Sequence, residues 1–492
     1  MTKFTPTAEQ QTIITAAQTT DDNMLISALA GAAKTSTLVL IAEALPKVEM
    51  LCLAFNKRIA VEMQERLPAN CEAMTLNSLG HRAWSDSIGR RLIVDTKKNY
   101  NVLKKQIEKL SDADKSEAWD LFAETLRAIA FAKSCGYVPD GKFERNKRLM
   151  NDDKFFAHME DAPTVVQEKL IRAVMTESIK RAFEGEIDFD DQILMPTVFS
   201  ASFPRFPLVL IDEAQDLSAL NHAMLRKLAR KRLIAVGDEC QAIYGFRGAH
   251  EDSMQLLKQE FSMKEYILSI SFRCPKSVVN EALWRAPHMK YPEWAVEGSV
   301  SRTESWNAKN LPESAVIICR NNAPLFATAI KLLKNNRYPK LMGNDIGKTL
   351  VKIMKKFGDS NMDKDAVHGA LDLWVEERLR RSRDEDKVYD QAACMAIFID
   401  QAEDLGGAIA YAEHLFNMSG PIQLMTGHKA KGLEFDDVYF LDEYLVRNRG
   451  QDLNLRYVII TRAMQTLTYI NSDQFIDEAK QVEETADVRP SF

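Results

Sequence analysis

The chain has 492 residues, of which 46% are hydrophobic and 27% charged, and its formal net charge is −6. This composition is typical of a folded globular protein with about three or four domains, and it excludes extensive disorder. The sequence contains neither a charged-then-apolar leader nor an apolar run of about 18 residues, so we expect no secretion and no membrane insertion. The net negative charge argues against a surface that coats nucleic acid non-specifically. It does not exclude a narrow basic or aromatic channel that binds nucleic acid.

The cysteines are scattered along the chain, without a CxxC pair or the spacing of metal ligands. This pattern favours reduced thiols, and we therefore expect a cytoplasmic protein.

The first 98 residues alternate short apolar runs with helical stretches. Residues 24–28 and 51–54 are predicted as strands, and residues 35–45 and 57–67 as helices. Such alternation is typical of a parallel α/β sheet, and apolar runs at 208–211 and 233–236 predict that the same sheet resumes later in the chain.

A second α/β pattern follows Pro275. Its predicted strands are residues 315–319, 421–425, 438–441 and 457–460. Helical periodicity interrupts both patterns, since apolar residues recur there at intervals of three and four. The expected domains are a first α/β domain at 1–98 and 182–275 with a helical insertion at 99–181, and a second α/β domain at 276–350 and 419–492 with a small helical insertion at 351–418.

Two adjacent carboxylates stand at the end of the predicted strand 208–211. Asp212 can hold a metal ion, and Glu213 can take a proton from an attacking water. Ligand sites lie at the carboxyl ends of parallel strands, which favours this interpretation. By itself, the run is equally consistent with an ordinary transition from strand to loop.

Small residues separate the strand 24–28 from the following helix, which begins near Lys34 and Thr35. Strand, small-residue loop and helix start are the layout of a phosphate-binding loop, in which Lys34 reaches phosphates and Thr35 holds magnesium. The usual GxxxxGK[ST] pattern has glycines where this chain has Ala28 and Ala33. A simple strand-to-helix turn is the alternative, and an alanine at a positive φ would be strained.

The segment 236–249, Val-Gly-Asp-Glu-Cys-Gln-Ala-Ile-Tyr-Gly-Phe-Arg-Gly-Ala, resembles the third motif of the UvrD/Rep/PcrA group of superfamily 1 helicases. Other segments are similar to further motifs of this family, in the same order, at 7–10, 54–63, 75–78, 188–191, 212–216, 271–273, 425–435 and 457–463. Details of the segments 54–63 and 454–457 lean towards the F-box-helicase-like branch. The resemblance misses both helical insertions.

The resemblance implies two RecA-like parallel-sheet motor domains, each with a helical insertion, and a DNA-dependent ATPase that uses ATP and Mg²⁺. The implied catalytic residues are Lys34, Thr35, Asp212, Glu213, Gln241, Arg273 and Arg462. Thr35 and Asp212 are the implied metal ligands. The implied nucleotide contacts come from Gln10 and Phe272 on the adenine, from Glu434, and from the loop residues Ala30, Gly31, Ala32, Ala33, Lys34, Thr35 and Ser36.

The family's DNA-contacting positions fall on Phe55, Asn56, Thr75, Asn77, Tyr244, Phe246, Arg247, Thr426 and His428. Aromatic residues among them can stack on bases without reading sequence. Asn77 departs from the family, which usually has histidine there. Taken alone, Tyr244 and Phe246 are consistent with core aromatics, and His428 with a structural histidine.

The leading hypothesis is a monomeric ATP-dependent helicase that moves 3′ to 5′ on single-stranded DNA and unwinds duplex. Its implied partners are single-stranded DNA, junctions of single- and double-stranded DNA, and proteins of replication, repair or recombination. The short second insertion raises an alternative, a translocase that strips proteins such as recombinases from DNA. The alanines of the loop raise another, a DNA-binding adaptor that does not hydrolyse ATP.

Overall fold

The computed structural model describes residues 5–54, 56–144, 146–245 and 252–477. The chain divides into two compact units, Met1–Ser269 and Ile270–Phe492. Three predicted DNA contacts, Phe55, Phe246 and Arg247, lie outside the described residues.

The first unit is built on a parallel sheet flanked by helices. Its strands are β1 (Met24–Ala28), β2 (Met50–Ala54), β3 (Cys71–Thr75), β4 (Ile93–Val94), β5 (Glu186–Ile187), β6 (Phe206–Ile211), β7 (Ala229–Gly237) and β8 (Lys264–Leu268). Its helices are α1 (Ala8–Thr19), α2 (Lys34–Ala44), α3 (Lys57–Gln64), α4 (Leu76–Ile88), α5 (Lys98–Ile107), α6 (Asp112–Asp120), α7 (Phe122–Ser134), α8 (Asp152–His158), α9 (Val165–Glu184), α10 (Asp191–Val198), α11 (Ala219–Leu228) and α12 (Ser253–Glu260).

The large sheet of this unit has the strand order β3-β2-β6-β7-β1-β8, and all its pairings are parallel. Because the strands run in one direction, their carboxyl ends meet at one edge. The strands β1, β2, β6 and β7, predicted from apolar runs, are confirmed. The short strands β4 and β5 pair separately.

The second unit repeats this architecture. Its strands are β9 (Ser299–Arg302), β10 (Val316–Cys319), β11 (Pro339–Leu341), β12 (Ile422–Thr426), β13 (Phe435–Leu441) and β14 (Ala463–Ile470). Its helices are α13 (Lys276–Ala282), α14 (Asn322–Lys334), α15 (Asn344–Met354), α16 (Lys364–Leu379), α17 (Glu385–Asp400), α18 (Leu405–Asn417), α19 (Gly427–Ala430) and α20 (Gln451–Ile460). The parallel sheet has the order β11-β12-β10-β13-β14-β9. The prediction of an α/β fold with two parallel sheets is therefore confirmed.

The predicted strand at 457–460 is wrong. Tyr457, Val458, Ile459 and Ile460 form the last turn of α20, and the neighbouring strand is β14. All four side chains are buried, because this turn is surrounded by protein on every side. A short apolar run of this kind has no periodicity that separates a strand from a buried helix.

The predicted helical insertion of the first unit is helical, from α5 to α9, and its described residues share their hydrophobic core with the sheet. One buried cluster contains Leu51 of β2, Ile129 of α7 and Leu170 of α9. In the second unit, Phe398 of α17 likewise shares a cluster with Ile317 of β10. The proposed limits of the two insertions as separate domains therefore stay predictions.

Buried charges join this helical segment to α10. Lys133 Nζ lies 2.6 Å from Asp188 Oδ2 and 2.7 Å from Asp191 Oδ1. Lys98 Nζ donates to Asp191 Oδ2 at 2.6 Å and to the carbonyl of Ser178 at 2.8 Å. Neither lysine side chain is exposed. The network fixes α5, α7 and α9 to the segment that leads into α10, since removal of one partner would leave a buried charge unpaired.

Across the described part of the chain, no helix combines the length and the apolar character needed to cross a membrane. All seven cysteines fall within that part, and each is a buried thiol.

Candidate active site

The loop between β1 and α2 has the backbone conformation that the phosphate-binding pattern predicts. Gly31 has φ 74° and Ala33 has φ 55°. The N–H of Leu29 donates to the carbonyl of Leu268, and that of Ala32 donates to the carbonyl of Leu29. The helix begins at Lys34 without a side-chain cap, so its N-terminal amides and its partial positive charge face the loop.

Ala33 occupies the left-handed conformation that glycine adopts at low cost. The strain of an L-residue there is about 1–2 kcal/mol, whereas glycine loses about 0.4–1 kcal/mol through the entropy of the unfolded chain. We expect Ala33→Gly to leave the free energy of unfolding unchanged or to raise it by less than about 1 kcal/mol. Urea denaturation measures this difference.

The neighbouring Ala32 provides the matched control, because its φ is negative and its side chain is buried. Ala32→Gly is expected to lower the free energy of unfolding by about 0.5–1 kcal/mol. Equal losses in the two variants would contradict a strained Ala33.

The predicted catalytic residues of the first unit lie together at the carboxyl edge of its sheet. Thr35 Oγ1 donates to Asp212 Oδ2 at 2.7 Å, and Lys34 Nζ lies 3.9 Å from Glu213 Oε1. Burial, and then the adjacent Glu213 carboxylate, raise the pKa of Asp212 to about 6. The loop after β1 and the end of β6 thus form one polar site.

Mg²⁺ fits this donor set. The Thr35 hydroxyl and the Asp212 carboxylate are hard oxygen ligands already in contact. Burial disfavours the charged carboxylate, and a cation would offset that penalty. Among the described residues, no group of three or more His, Cys, Asp or Glu is arranged to hold a metal. Mg²⁺ requires no such group, since it uses one or two carboxylates with water and substrate phosphates.

A hydrogen-bond chain extends the site to the end of β7. Gln215 bonds to Glu213 and to the backbone of Asp238, and Gln241 Nε2 donates to Asp238 Oδ2 at 2.6 Å. Burial raises the pKa of Asp238. Gln241, the predicted phosphate sensor, is therefore linked through Asp238 and Gln215 to the predicted base, Glu213.

Gln10, the predicted adenine contact, is buried and held from both ends of its amide. Its Oε1 accepts the N–H of Thr7 at 3.0 Å, and its Nε2 donates to Thr37 Oγ1 at 3.0 Å. Thr7 and Gln10 also form the capping box of α1. The structure thus gives Gln10 a capping role, and its contact with adenine stays a prediction.

In the second unit, three predicted residues lie close together. Arg273 forms an ion pair with Glu434, and its buried Nε has no hydrogen-bond partner among the residues that the structure describes. The Arg462 guanidinium is buried and donates to the carbonyls of Val458 and Leu433 at 2.9 and 3.0 Å. Burial, and then the charge of Arg273, lower the pKa of Arg462 to about 10. Two neighbouring cations with an unsatisfied donor form a region that favours an anion.

The aromatic residue Phe272 packs beside Trp294 in the same unit. Their ring centroids are 6.3 Å apart at an interplanar angle of 26°. Trp294 is 71% exposed. Sequence reasoning selected Phe272 and missed Trp294, which no family motif contains.

The described DNA-contact candidates of the first unit follow β2 and β3. Asn56 caps α3 and Thr75 caps α4, while Asn77 Nδ2 donates to the carbonyl of Phe189 at 2.8 Å. Phe189 is 57% exposed and had no predicted role, although it lies in the recognised segment 188–191. Tyr244, after β7, is half-buried.

In the second unit, the candidates Thr426 and His428 follow β12. Thr426 is buried at the end of that strand, and His428 is half-buried in the short helix α19. Both stand at the carboxyl edge of the second sheet.

A parallel sheet, a loop of small residues before α2 and adjacent acids after β6 define the class of P-loop nucleotide-binding α/β proteins. Comparison with known proteins identifies the group within this class. The model of the UvrD/REP helicase N-terminal domain matches residues 7–262, more than half of the chain. The model of the UvrD-like helicase C-terminal domain matches residues 421–469. The chain belongs to the UvrD/Rep helicase family.

Curated relatives are similar over shorter parts of their own length. F-box DNA helicase protein 1 of Schizosaccharomyces pombe is 22% identical over 94% of this chain and 57% of its own. DNA helicase II of Haemophilus influenzae is 23% identical over 53% of this chain and 38% of its own. PcrA of Staphylococcus aureus is 24% identical over 54% of this chain and 38% of its own. The chain thus spans between about a third and somewhat over half of the length of these relatives.

Proposed function

We propose that this protein is a DNA-dependent ATPase that moves along single-stranded DNA and unwinds duplex. The observation that carries the proposal is the joining of the Lys34–Thr35 helix start to the Asp212–Glu213 strand end. Phosphoryl transfer needs such a site, because its catalysis consists mainly of positioning and of electrostatic stabilisation. The family membership of the chain and the printed names of its relatives support the assignment to DNA.

Each residue of the first unit has a defined part in hydrolysis. Lys34 and the amides of the loop bind the phosphates, and Glu213 accepts the proton of the attacking water. Thr35 and Asp212 hold Mg²⁺, which neutralises phosphate charge when bound. Gln241 contacts the γ-phosphate from the end of β7.

The second unit contributes positive charge in this proposal. Arg273 and Arg462 stabilise the charge that develops on the transferred phosphoryl group, as the arginine residues of related mechanisms do. Phe272 stacks on the adenine. The buried Nε of Arg273, which has no partner within the described part of the chain, supports an anionic ligand at this place.

DNA binding is proposed for the residues that follow the strands. Asn56, Thr75 and Asn77 of the first unit and Thr426 and His428 of the second bind the backbone, while aromatic residues such as Tyr244 stack on bases. Stacking contributes roughly 1–3 kcal/mol per base and is tolerant of sequence. We therefore propose tracking of a single strand without sequence preference, and we add Phe189 to the stacking candidates.

The direction of movement can be tested with tailed duplexes. We expect single-stranded DNA to stimulate ATP hydrolysis and expect strand displacement on substrates with a 3′ overhang but not a 5′ overhang. The resemblance of segment 236–249 to the UvrD-like branch supports the 3′ to 5′ direction. Lys34→Ala is the negative control. Equal strand displacement with both overhangs would contradict the 3′ to 5′ direction.

The same experiments separate the other hypotheses. A translocase that strips proteins from DNA would displace a bound recombinase efficiently but would unwind duplex DNA poorly. A DNA-binding adaptor would show no ATP turnover with single-stranded DNA. The intact set of Lys34, Thr35, Asp212 and Glu213 favours hydrolysis over the adaptor.

A further inference from the structure

Gln215 connects the ends of two neighbouring strands. It lies in the short 3₁₀ helix Ala214–Asp216 after β6, and it is 1% exposed. Its Nε2 donates to Glu213 Oε2 at 2.6 Å, and its Oε1 accepts the N–H of Asp238 at 2.9 Å. Nε2 also lies 3.5 Å from Asp216 Oδ2. Because a buried amide bonded at both ends has one favourable orientation, Gln215 fixes the position of the group it donates to.

The end of β7 is shaped to accept this side chain. A Cβ at Gly237 would lie 2.6 Å from Gln215 Oε1, 3.1 Å from the Gln215 backbone nitrogen and 2.8 Å from Met254 Sδ. Contacts under 3.0 Å force a displacement, so only glycine lets Gln215 approach the strand this closely.

Glu213 depends on contacts of this kind. Its φ of 53° is in the left-handed region, which is unfavourable for an L-residue. The local backbone preference therefore does not hold the residue in place. Its two carboxylate oxygens face different groups, since Oε1 faces Lys34 and Oε2 accepts from Gln215.

We propose that Gln215 is a positioning residue for ATP hydrolysis, which holds the Glu213 carboxylate at the end of β6 by tying it to the end of β7. The proposal rests on the proposed function, in which Glu213 accepts the proton of the attacking water. Gln215 itself touches neither the nucleotide nor the water in this scheme. Its effect is on where the Glu213 carboxylate lies.

The isosteric change Gln215→Glu tests this role. Glutamate retains an oxygen that accepts from Asp238, but it replaces the donor to Glu213 with a second negative charge. We expect kcat for DNA-stimulated ATP hydrolysis to fall by about 10- to 100-fold, since a misplacement of about 1 Å has effects of this size. The Kd for ADP, measured by titration calorimetry, should remain unchanged because Lys34 and the loop are intact.

Gly237→Ala perturbs the same contact from the opposite side without changing a charge. We expect this variant to lower kcat, as Gln215→Glu does, and again to leave the Kd for ADP unchanged. Gln167→Glu is the matched control, because Gln167 is also a buried glutamine and belongs to the capping box of α9. Glutamate serves equally well at that capping position, so its kcat should equal that of the wild type.

A double-mutant cycle distinguishes positioning of Glu213 from a general structural role. If Gln215 acts through Glu213, then Gln215→Glu should cause no further loss in a Glu213→Gln background, measured by single-turnover hydrolysis. Losses that multiply would overturn the proposal, and so would a wild-type kcat in Gln215→Glu. A wild-type protein without DNA-stimulated turnover would instead contradict the proposed function.

Discussion

Glu213→Gln is expected to lower kcat for DNA-stimulated ATP hydrolysis by about 10²- to 10⁴-fold, the usual contribution of a general base. Glutamine has the shape of glutamate but cannot accept the proton of the attacking water. The phosphate loop, with Lys34 and Thr35, is unchanged, so the Kd for ADP should stay near that of the wild type. Steady-state turnover and calorimetric titration measure the two quantities.

Lys34→Ala provides the contrast to this variant. It removes the cation that faces the phosphates, so it should weaken nucleotide binding as well as turnover. A Glu213→Gln protein that retains turnover within about tenfold of the wild type would assign the proton transfer to another group.

Lys133→Met is expected to lower the free energy of unfolding by about 3–5 kcal/mol at pH 7, because it leaves buried carboxylates without their main partner. Lys133 forms ion pairs with both Asp188 and Asp191, and its side chain is not exposed. Lys115→Met is the matched control within the same helical segment. Its partner Asp112 is 99% exposed, and surface pairs contribute about 0–1 kcal/mol.

The pH dependence of this loss has a defined sign. In the wild type, burial acts to raise the pKa of Asp191, but the charges of Lys133 and Lys98 outweigh it and hold the pKa below its usual value. That stabilisation is present above the unfolded pKa of about 3.9 and is lost as the pH falls through the folded pKa. Without Lys133, only Lys98 still opposes the effect of burial on Asp191, so we expect the pKa of this carboxylate to rise.

Protonation then stabilises the folded form of the variant as the pH decreases. Denaturation at pH 7 and pH 5 should therefore show a smaller difference between Lys133→Met and the wild type at pH 5. A difference that grows towards acid pH would show that the loss of Lys133 does not raise the pKa of these carboxylates.

Sequence patterns predicted the strands that are buried on both faces of a sheet. β1, β2 and β6 are continuous apolar runs within a sheet covered by helices, and such runs are unambiguous when turn and helix signals bound them. The wrong prediction at 457–460 also results from complete burial. The last turn of α20 is buried all round, so its apolar run carries no helical period.

Strands with polar faces were missed. β8 begins Lys-Glu-Tyr, and β9 is Ser-Val-Ser-Arg. Both stand at the edge of their sheets, where side chains remain in contact with solvent and no apolar run is required.

Within the candidate site, the sequence indicated that an alanine replacing a loop glycine would be strained if its φ were positive. The structure gives Ala33 such a φ, and Ala28 does not share it. The sequence could not predict the role of Gln215, since a glutamine between two acids has no pattern that marks its partners. The contact depends on Asp238 and Gly237, which are more than twenty residues away.

The sequence by itself determined the two α/β halves and the order of the helicase motifs. The α/β halves follow from local periodicity, and the motifs follow from the resemblance of short segments to the family. The tertiary structure alone decided that Glu213 is held from β7 and that four buried charges join the helical segment to α10. Such contacts depend on the approach of distant elements, whose distances and burial no short stretch of sequence contains.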